Sequence, residues 1–315
     1  ENISGGGTLN ILVMGGTTFI GLRLVQRLLD EGYCVTIATR GRTRDPFNNH
    51  VQRIRFERSD RSSMETAFSK SRFDIVFDQI GYAPDDIADA CAVFSGKIGH
   101  YIFTSSNAVY SNLKGSLTEG AFDPTAITLQ SGRMDDLGYA EGKRQAEAHL
   151  FQRASFPVAA ARFPIVVGPD DPSDRFQFHV RRVLEGTPII VPQPGGQRSY
   201  VEVDDAARFL VWLGVNTRMG PYNGASPETI NALELVGRIG HILNRDPLLH
   251  ECGDAADHTP YQTPDSNSVP LRDGESPNSR DWTVDVSKAA NEGFNFTPFG
   301  DWFPAAVKEV AKKTF

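Results

Sequence analysis

Residues 11–24, ILVMGGTTFIGLRL, decide the fold class of this chain. Residues 9–14 form a short apolar run that ends at two glycines, as a buried parallel strand does. From Ile20 to Leu29 the apolar residues recur at helical spacing, and residues 34–39, CVTIAT, predict a second strand. A strand, a glycine turn, a helix and a second strand within about 30 residues form a βαβ unit.

Strand and helix patterns continue to alternate along the chain. Strands are predicted at IRFERSD, FDIVFDQIG, HYIFTSS and PVAAARFPIVVG. The helices between them are predicted at residues 63–70 and at IADACAVF and YAEGKRQAEAHLFQR. This alternation predicts an α/β protein with a doubly wound parallel sheet, the Rossmann fold.

The sequence predicts a division of the chain after residue 167. Residues 1–167 carry the predicted dinucleotide-binding domain, and residues 168–315 a smaller α/β portion that binds substrate and packs on it, with some exchange of strands and helices. The polar stretch 253–280 predicts a long loop or a lid. Helices in the second portion are predicted near residues 175–185, 204–214, 229–243 and 301–313.

Composition and charge disfavour several classes of function. A net charge of −7 over 315 residues provides no general attraction to nucleic acid or to anionic membranes. The sequence contains no apolar run near the roughly 20 residues that cross a bilayer, and its first residues do not have the pattern of a signal peptide. Three scattered cysteines and seven dispersed histidines predict neither a disulfide framework nor a metal site. We therefore expect a cytoplasmic protein without a bound metal.

The turn after the first strand predicts a nucleotide-binding loop. Glycines in such a turn permit a tight bend, close approach of the backbone to a pyrophosphate, and close packing of helix on strand. The helix N-terminus then offers N–H groups and a positive dipole end to the phosphates. Thr18 stands where a middle glycine is expected, so we predict a modified but working loop. Its cofactor-binding residues are Gly15, Gly16, Thr17, Thr18, Phe19, Ile20 and Gly21.

The residues after the second strand bear on the choice between NAD and NADP. An NAD site has an Asp or Glu there, about 20 residues beyond the turn, on the adenosine ribose. This chain has Thr39 and Arg40 at that place, with Arg42 and Arg44 close behind. Because guanidinium groups bind phosphate and no carboxylate repels it, the sequence favours NADP, held by Arg40 and Arg42, over NAD. A solvated basic loop is the alternative interpretation.

Tyr139 and Lys143, in YAEGK, lie on one face of a predicted helix. A lysine ammonium beside a phenol favours the phenolate and lowers the pKa of the phenol, which suits it to exchange a proton with an alcohol. The predicted strand at residues 101–106 ends in two serines, and a hydroxyl there is placed to hold the substrate oxygen. These residues predict an acid/base for the proton of an alcohol.

The motifs together resemble the extended short-chain dehydrogenase/reductase family, the NAD(P)-dependent sugar epimerases, dehydratases and reductases. GGTTFIG resembles the opening turn of that family, FERSD and FDQIG its adenosine-binding segments, and FTSSNAVY and YAEGK its catalytic segments. ARFPIVVGP, RSYVEVDDAA and WTVDVSKAANEGFNF resemble its C-terminal framework. The resemblance runs in order over nearly the whole chain.

The resemblance implies three catalytic residues. Tyr139 is the acid/base, and Lys143 holds the nicotinamide ribose and tunes the tyrosine. Counting four residues back from Tyr110, as in the family pattern, selects Ser106 rather than Ser105 as the catalytic hydroxyl.

Binding roles follow from the same resemblance. Asp60 is expected to hold the adenine amino group and Gly81 to lie near the adenosine ribose. The backbone at Phe163 is expected to meet the nicotinamide carboxamide, and Arg198 to bind the diphosphate of a substrate. Arg175, in GPDDPSDRF, is a candidate ligand for an anionic substrate, with a salt bridge at the helix start as the alternative.

The chain departs from the family pattern at three places. Asn107, predicted to face the substrate, and Ala108 stand where the 4,6-dehydratases have an Asp–Glu pair. Pro164 and Ile165 end the segment that reads RxFN in the epimerases, so the substrate-holding Asn is missing. Thr18 replaces the middle glycine. These departures count against a standard UDP-hexose substrate.

Three functions fit these observations. The leading hypothesis is an NAD(P)-dependent oxidoreductase acting on a sugar-nucleotide-like or other anionic small molecule, and an epimerase with the same site is its close rival. The third is a non-catalytic RNA-binding protein, because the chloroplast stem-loop-binding proteins share the turn GGTxFIG. The acidic net charge and the intact Ser–Tyr–Lys set disfavour nucleic acid. The resemblance also allows a homodimer, since family members often dimerise.

Overall fold

A computed structural model describes residues 8–111, 113, 115–192, 195–252 and 281–314. The predicted loop or lid at 253–280 lies outside the described residues. The chain forms two compact units, and each of them contains segments from both sides of residue 167. The sequence-based division after residue 167, with some exchange of strands and helices, stays a prediction. The N-terminal unit contains residues 1–106, 123–162 and 206–222, and the C-terminal unit residues 107–122, 163–205 and 223–315.

The described residues form fourteen strands and ten α-helices, which alternate through the first half of the chain. The strands are β1 Asn10–Met14, β2 Cys34–Thr39, β3 Gln52–Arg55, β4 Phe73–Asp78, β5 Ile98–Ser106, β6 Gly115–Leu117, β7 Val158–Phe163, β8 Ile165–Val167, β9 Ile189–Pro192, β10 Arg198–Glu202, β11 Gly220–Asn223, β12 Thr229–Ile230, β13 Leu249–Cys252 and β14 Trp282–Val284. The α-helices are α1 Phe19–Asp30, α2 Arg61–Ala67, α3 Pro84–Phe94, α4 Met134–Leu137, α5 Tyr139–Arg153, α6 Arg175–Glu185, α7 Val203–Val215, α8 Ala232–Leu243, α9 Ser287–Asn291 and α10 Phe299–Thr314.

Within the described residues, seven strands form the sheet of the N-terminal unit, in the order β11-β7-β5-β4-β1-β2-β3. The pairs β3–β2, β2–β1, β1–β4 and β4–β5 are parallel. β1 and β4 are buried along nearly their whole length, as expected for strands covered by helices on both faces. The predicted doubly wound α/β fold is confirmed. Winding reverses between β1 and β4, and ligands of such sheets bind at the carboxyl ends of the strands near that point.

The C-terminal unit has smaller sheets. Where the structure describes it, the strand order is β12-β10-β14-β6, β8 pairs with β10, and β13 pairs with β9. Helices α6, α8 and α10 enclose its core, where Val180, Ile239 and Phe303 are almost fully buried. The four helices predicted beyond residue 167 are confirmed as α6, α7, α8 and α10.

Asn223 joins segments of the C-terminal unit that are far apart in sequence. Its buried amide donates to the carbonyl oxygens of Leu117 and Asp285, both at 2.9 Å. Its side-chain oxygen accepts a hydrogen bond from the Tyr110 hydroxyl at 2.7 Å. Tyr110 thus anchors the turn that follows Ser106, which agrees with its use as a reference position for the catalytic serine.

Candidate cofactor and catalytic site

The turn between β1 and α1 requires glycine at three positions. Gly15 has φ +87°, and a Cβ there would lie 2.5 Å from the Ile80 side chain. A Cβ on Gly16 would lie 2.7 Å from Val25, and one on Gly21 would lie 2.2 Å from the Gly15 carbonyl oxygen. The bend and the close packing of α1 on β1 therefore depend on these glycines, as the sequence predicts.

Thr18 occupies the N-cap position of α1 in an extended conformation. Its side chain is exposed and makes no capping hydrogen bond to the helix. The first turn of α1 carries no acidic residue, and Phe19 begins it with φ 43°. A helix N-terminus of this kind has backbone N–H groups for an anion, so the turn fits the pyrophosphate of a dinucleotide.

Arginines surround the carboxyl end of β2. Arg40, Arg42 and Arg44 are exposed after Thr39. Arg55, at the end of β3, pairs in register with Thr39, and its side chain lies 3.6 Å from the position of a Cβ on Gly41. The sequence reasoning missed Arg55 because a neighbouring strand brings it to the loop. These four guanidinium groups form what we call the arginine face.

The loops after β3 and β4 bound the expected adenosine region. Asp60 is the N-cap of α2, and its carboxylate accepts from the Ser63 N–H at 3.2 Å. Asp78, fully buried at the end of β4, accepts from Arg58 at 2.7 Å and from the Tyr101 hydroxyl at 2.5 Å. Burial, followed by the Asp78 charge, raises the pKa of Tyr101 well above its ordinary value. The contact of Asp60 with adenine stays a prediction, since its visible role is to cap a helix.

Gly81 packs tightly against β4 and β5. A Cβ there would lie 2.8 Å from the Asp78 carboxylate and 3.0 Å from the Phe103 ring, so the position requires glycine. The Gly81 carbonyl oxygen accepts a hydrogen bond from the Lys143 ammonium at 2.8 Å. This bond connects the loop after β4 to the helix that carries Lys143.

Lys143 and Tyr139 lie on consecutive turns at the start of α5. Lys143 is 2% exposed and donates a second hydrogen bond to the Thr104 carbonyl oxygen at 2.8 Å. Its ammonium lies 4.8 Å from the ring centroid of Tyr82, 4.7 Å from that of Phe103 and 6.0 Å from that of Tyr139. These contacts fix a buried cation beside the half-buried phenol.

The two serines at the end of β5 have different surroundings. The Ser105 hydroxyl donates to the Glu147 carboxylate at 2.5 Å. Glu147 is fully buried and also accepts from the Arg162 guanidinium at 2.6 Å. Ser105 is therefore held by a buried ion pair behind the strand, which supports the selection of Ser106, 9% exposed, as the candidate catalytic hydroxyl.

The remaining predicted residues belong to the C-terminal unit. Asn107 begins a buried 3₁₀ turn, and Phe163 is 2% exposed at the end of β7. Arg175 is the half-buried first residue of α6. Arg198 is 7% exposed, with its guanidinium 5.6 Å from the ring centroid of Trp282. Their roles toward cofactor and substrate stay predictions.

Among the described residues, His, Cys, Asp and Glu side chains form no group of three or more that is arranged to hold a metal ion. In the same part of the chain, none of the helices combines the length and the apolar character that a bilayer span needs.

Known proteins resemble this chain in sequence. Residues 11–90 match the model of the NAD dependent epimerase/dehydratase family. The chloroplast stem-loop binding protein of 41 kDa b from Arabidopsis thaliana is 30% identical over 231 residues, which cover 67% of this chain and 57% of that protein. UDP-glucuronic acid decarboxylase 1 from Arabidopsis thaliana is 24% identical over 294 residues, 82% of this chain and 63% of that one. The chain spans less than two thirds of the length of either relative.

Solved structures share the fold. The crystal structure of dTDP-glucose 4,6-dehydratase from Bacillus anthracis in complex with NAD superimposes with a TM-score of 0.73 at 17% identity, over 97% of each chain. The family match over residues 11–90 and this common fold confirm the resemblance of the chain to the NAD dependent epimerase/dehydratase family.

Proposed function

We propose that this protein is an NAD(P)-dependent oxidoreductase that interconverts a secondary alcohol and a ketone in an anionic small molecule, with a sugar nucleotide as the first candidate. One observation carries the proposal: the buried Lys143 ammonium donates to the carbonyl oxygen of Gly81 and lies 6.0 Å from the ring centroid of Tyr139. The residue before Gly81, Ile80, packs against the glycine turn, where a Cβ on Gly15 would lie 2.5 Å from its side chain. A cofactor cradle and an acid/base pair therefore lie within one compact unit.

Different residues of the N-terminal unit are proposed to bind the cofactor, to transfer the proton and to orient the substrate. The cradle at Gly15, Gly16 and Gly21 fits a dinucleotide, because glycine at these positions permits the tight bend and the close packing that a dinucleotide-binding turn needs. A bound nicotinamide dinucleotide supplies hydride transfer. Tyr139 gives a proton to the forming alcohol oxygen or takes one from it, and Lys143 favours the phenolate electrostatically. In the proposed arrangement Ser106 donates a hydrogen bond that orients the same substrate oxygen.

NADP is the proposed cofactor and NAD the alternative. The arginine face provides four exposed guanidinium groups where an NAD site has a carboxylate. Arg40 and Arg42 are the proposed ligands of a 2′-phosphate, and Arg55 is added to them because its strand register brings it beside Thr39.

Epimerisation is a rival use of the same residues. The family match names epimerases, and an epimerase returns the hydride to the opposite face of the ketone. Steady-state consumption of NAD(P)H separates the two, since an epimerase shows none. The Asp–Glu pair of the 4,6-dehydratases is replaced by Asn107 and Ala108, so dehydration is not proposed.

RNA binding is a second candidate, which the stem-loop binding relative favours. Residues 40–61 contain seven arginines against three acidic residues, a basic stretch in a chain of net charge −7. An RNA backbone on the arginine face would give binding that weakens steeply with salt. A gel shift with a hairpin RNA at two salt concentrations tests this function, with the triple variant Arg42→Glu, Arg44→Glu, Arg55→Glu as the comparison.

The direct test of the proposed enzyme is turnover. Purified protein is incubated with NADP(H) or NAD(H) and a panel of nucleotide sugars, and nicotinamide absorbance is followed together with product analysis. Turnover that requires Tyr139 supports the proposal. Tight binding of the hairpin RNA, without turnover of any compound in the panel, would favour RNA binding over the proposed enzyme. Cytoplasmic location and a homodimer stay predictions.

A further inference from the structure

Arg133 is the N-cap of the short helix α4, which precedes Tyr139, and it contacts three carboxylates of α3. Its guanidinium donates to Asp86 at 2.6 Å and to Asp89 at 3.1 Å, and its Nε lies 3.9 Å from the Asp85 carboxylate. One planar cation is thus surrounded by three anions, an arrangement that fixes its orientation. Neither its sequence motif nor the proposed catalytic set gives Arg133 a role.

Asp86 carries the effect of Arg133 to the loop after β4. One of its oxygens binds Arg133, and the other accepts from the backbone N–H groups of Tyr82 at 2.9 Å and Ala83 at 3.1 Å. The carboxylate is 10% exposed, so water competes little with these hydrogen bonds. The position of the backbone at Tyr82 therefore depends on the ion pair.

The same backbone holds the lysine of the catalytic pair. Gly81 accepts from Lys143, and the Tyr82 ring lies 4.8 Å from its ammonium. A Cβ on Gly142 would lie 2.7 Å from the Tyr82 carbonyl oxygen, so α5 packs directly against this loop. A displacement of Tyr82 would therefore displace the ammonium beside Tyr139.

Two further contacts tie the Arg133 loop in place. The Gly132 N–H donates to Asp85 at 2.9 Å. The Arg133 guanidinium also reaches the Ser59 carbonyl oxygen at 3.4 Å, next to Asp60 in the loop after β3. The guanidinium thereby connects the loop after β3, where adenosine is expected to bind, to the segment that precedes α5.

We infer that Arg133, acting through Asp86, is a positioning residue that sets the Lys143–Tyr139 pair and couples it to the loop that follows β3. The inference rests on the proposed function. Arg133 is 35% exposed, so any one of its ion pairs alone contributes little. The effect on the Lys143–Tyr139 pair comes from the Asp86 carboxylate, which binds both Arg133 and the backbone of the loop after β4.

The test compares Arg133→Met, which keeps the length of the side chain, with Arg133→Lys and with Arg27→Met. Arg27 forms an ion pair with Glu31 on α1 at 3.8 Å and serves as the matched control. We expect Arg133→Met to lower kcat about tenfold, because small displacements of catalytic groups are costly, while KM for the substrate changes less. The pH at which kcat rises should move upward, because the displaced Lys143 ammonium no longer favours the Tyr139 phenolate. Arg133→Lys should restore part of the lost kcat and part of the shift in pH.

A second readout does not depend on turnover. The phenol of Tyr139 is titrated by NMR in protein with ring-labelled tyrosine, assigned through Tyr139→Phe. An upward shift of that titration in Arg133→Met, absent in Arg27→Met, supports the inference even where wild-type protein turns over none of the tested compounds. An unchanged titration and pH profile overturn it. Should Arg133→Met fail to fold, Arg133→Lys and Asp86→Asn decide the question by the same two measurements.

Discussion

The ammonium of Lys143 donates a hydrogen bond to the carbonyl oxygen of Gly81 at 2.8 Å. This contact joins the helix that begins with Tyr139 to the loop after the central strand β4. A second bond, to the Thr104 carbonyl oxygen at 2.8 Å, joins the same ammonium to the end of β5. The lysine thus brings the carboxyl ends of two parallel strands and the start of α5 to one point, where the glycine turn also lies.

Tyr139→Phe should lower kcat by about 10²–10⁴-fold, the usual range for the loss of a general acid/base. Cofactor binding should be nearly unchanged, because the ring and its packing are retained. Stopped-flow turnover and fluorescence titration with NADPH measure the two quantities. Turnover close to that of wild type would remove Tyr139 from the catalytic role.

Arg40→Asp should shift cofactor preference toward NAD. A carboxylate at that position accepts hydrogen bonds from the ribose hydroxyls of NAD and repels the 2′-phosphate of NADP. The Arg40 guanidinium instead attracts that phosphate. We expect the ratio of kcat/KM for NADP to that for NAD to fall at least tenfold, about the effect of one charged hydrogen bond. Arg27→Asp, on the last turn of α1, is the matched charge change and should leave the ratio unaltered.

Glu147→Gln should destabilise the protein. The change leaves the fully buried Arg162 guanidinium without its anionic partner, and breaking a buried pair in this way costs about 3–5 kcal/mol. The free energy of unfolding in urea measures the effect. Glu141→Gln, on the same helix with a side chain 39% exposed, should change it by less than about 0.5 kcal/mol. Equal effects of the two substitutions would contradict a structural role for the buried pair.

Glu202 gives the protein a specific dependence of stability on pH. Burial, and next the charge of Asp204, raise its pKa from 4.5 to about 7. The folded state therefore binds this proton more tightly than the unfolded chain, so the contribution of Glu202 to the free energy of unfolding falls as pH rises from 4.5 through about 7.

Glu202→Gln should remove that penalty while keeping an acceptor for the backbone N–H groups of Asp204 and Asp205. We expect Tm at pH 8 to rise by about 1–2 °C, the shift that about 1 kcal/mol gives in a protein of 315 residues, and Tm at pH 4.5 to stay the same. Calorimetry at the two pH values measures the difference. A rise of equal size at both would show that the charge is not the cause.

The sequence predicts the parts of the site that depend on local patterns. The turn at residues 15–21 lies between a mostly apolar strand and an amphipathic helix, and both form as expected. The spacing of Tyr139 and Lys143 puts them on adjacent helical turns. The choice of Ser106 over Ser105 agrees with the commitment of Ser105 to Glu147.

Residues brought in by distant segments were not predicted. Arg55 reaches the loop after β2 through the register of β3, a strand too short and too exposed for its hydrophobic pattern to fix a register. Arg133 pairs with carboxylates more than 40 positions earlier in the sequence. Asp60 caps α2, and its expected contact with adenine stays a prediction. Such roles depend on tertiary contacts that no local pattern encodes.

The interleaving of the two units has a consequence for synthesis and dissection. The edge strand β11, at residues 220–223, completes a sheet whose other strands end by residue 163. A ribosome must therefore release residues up to 223 before all the described strands of this sheet are available. A fragment that ends or begins near residue 167 would lack segments of its own compact unit. Expression, domain swapping and circular permutation should therefore keep both sides of residue 167 in one chain.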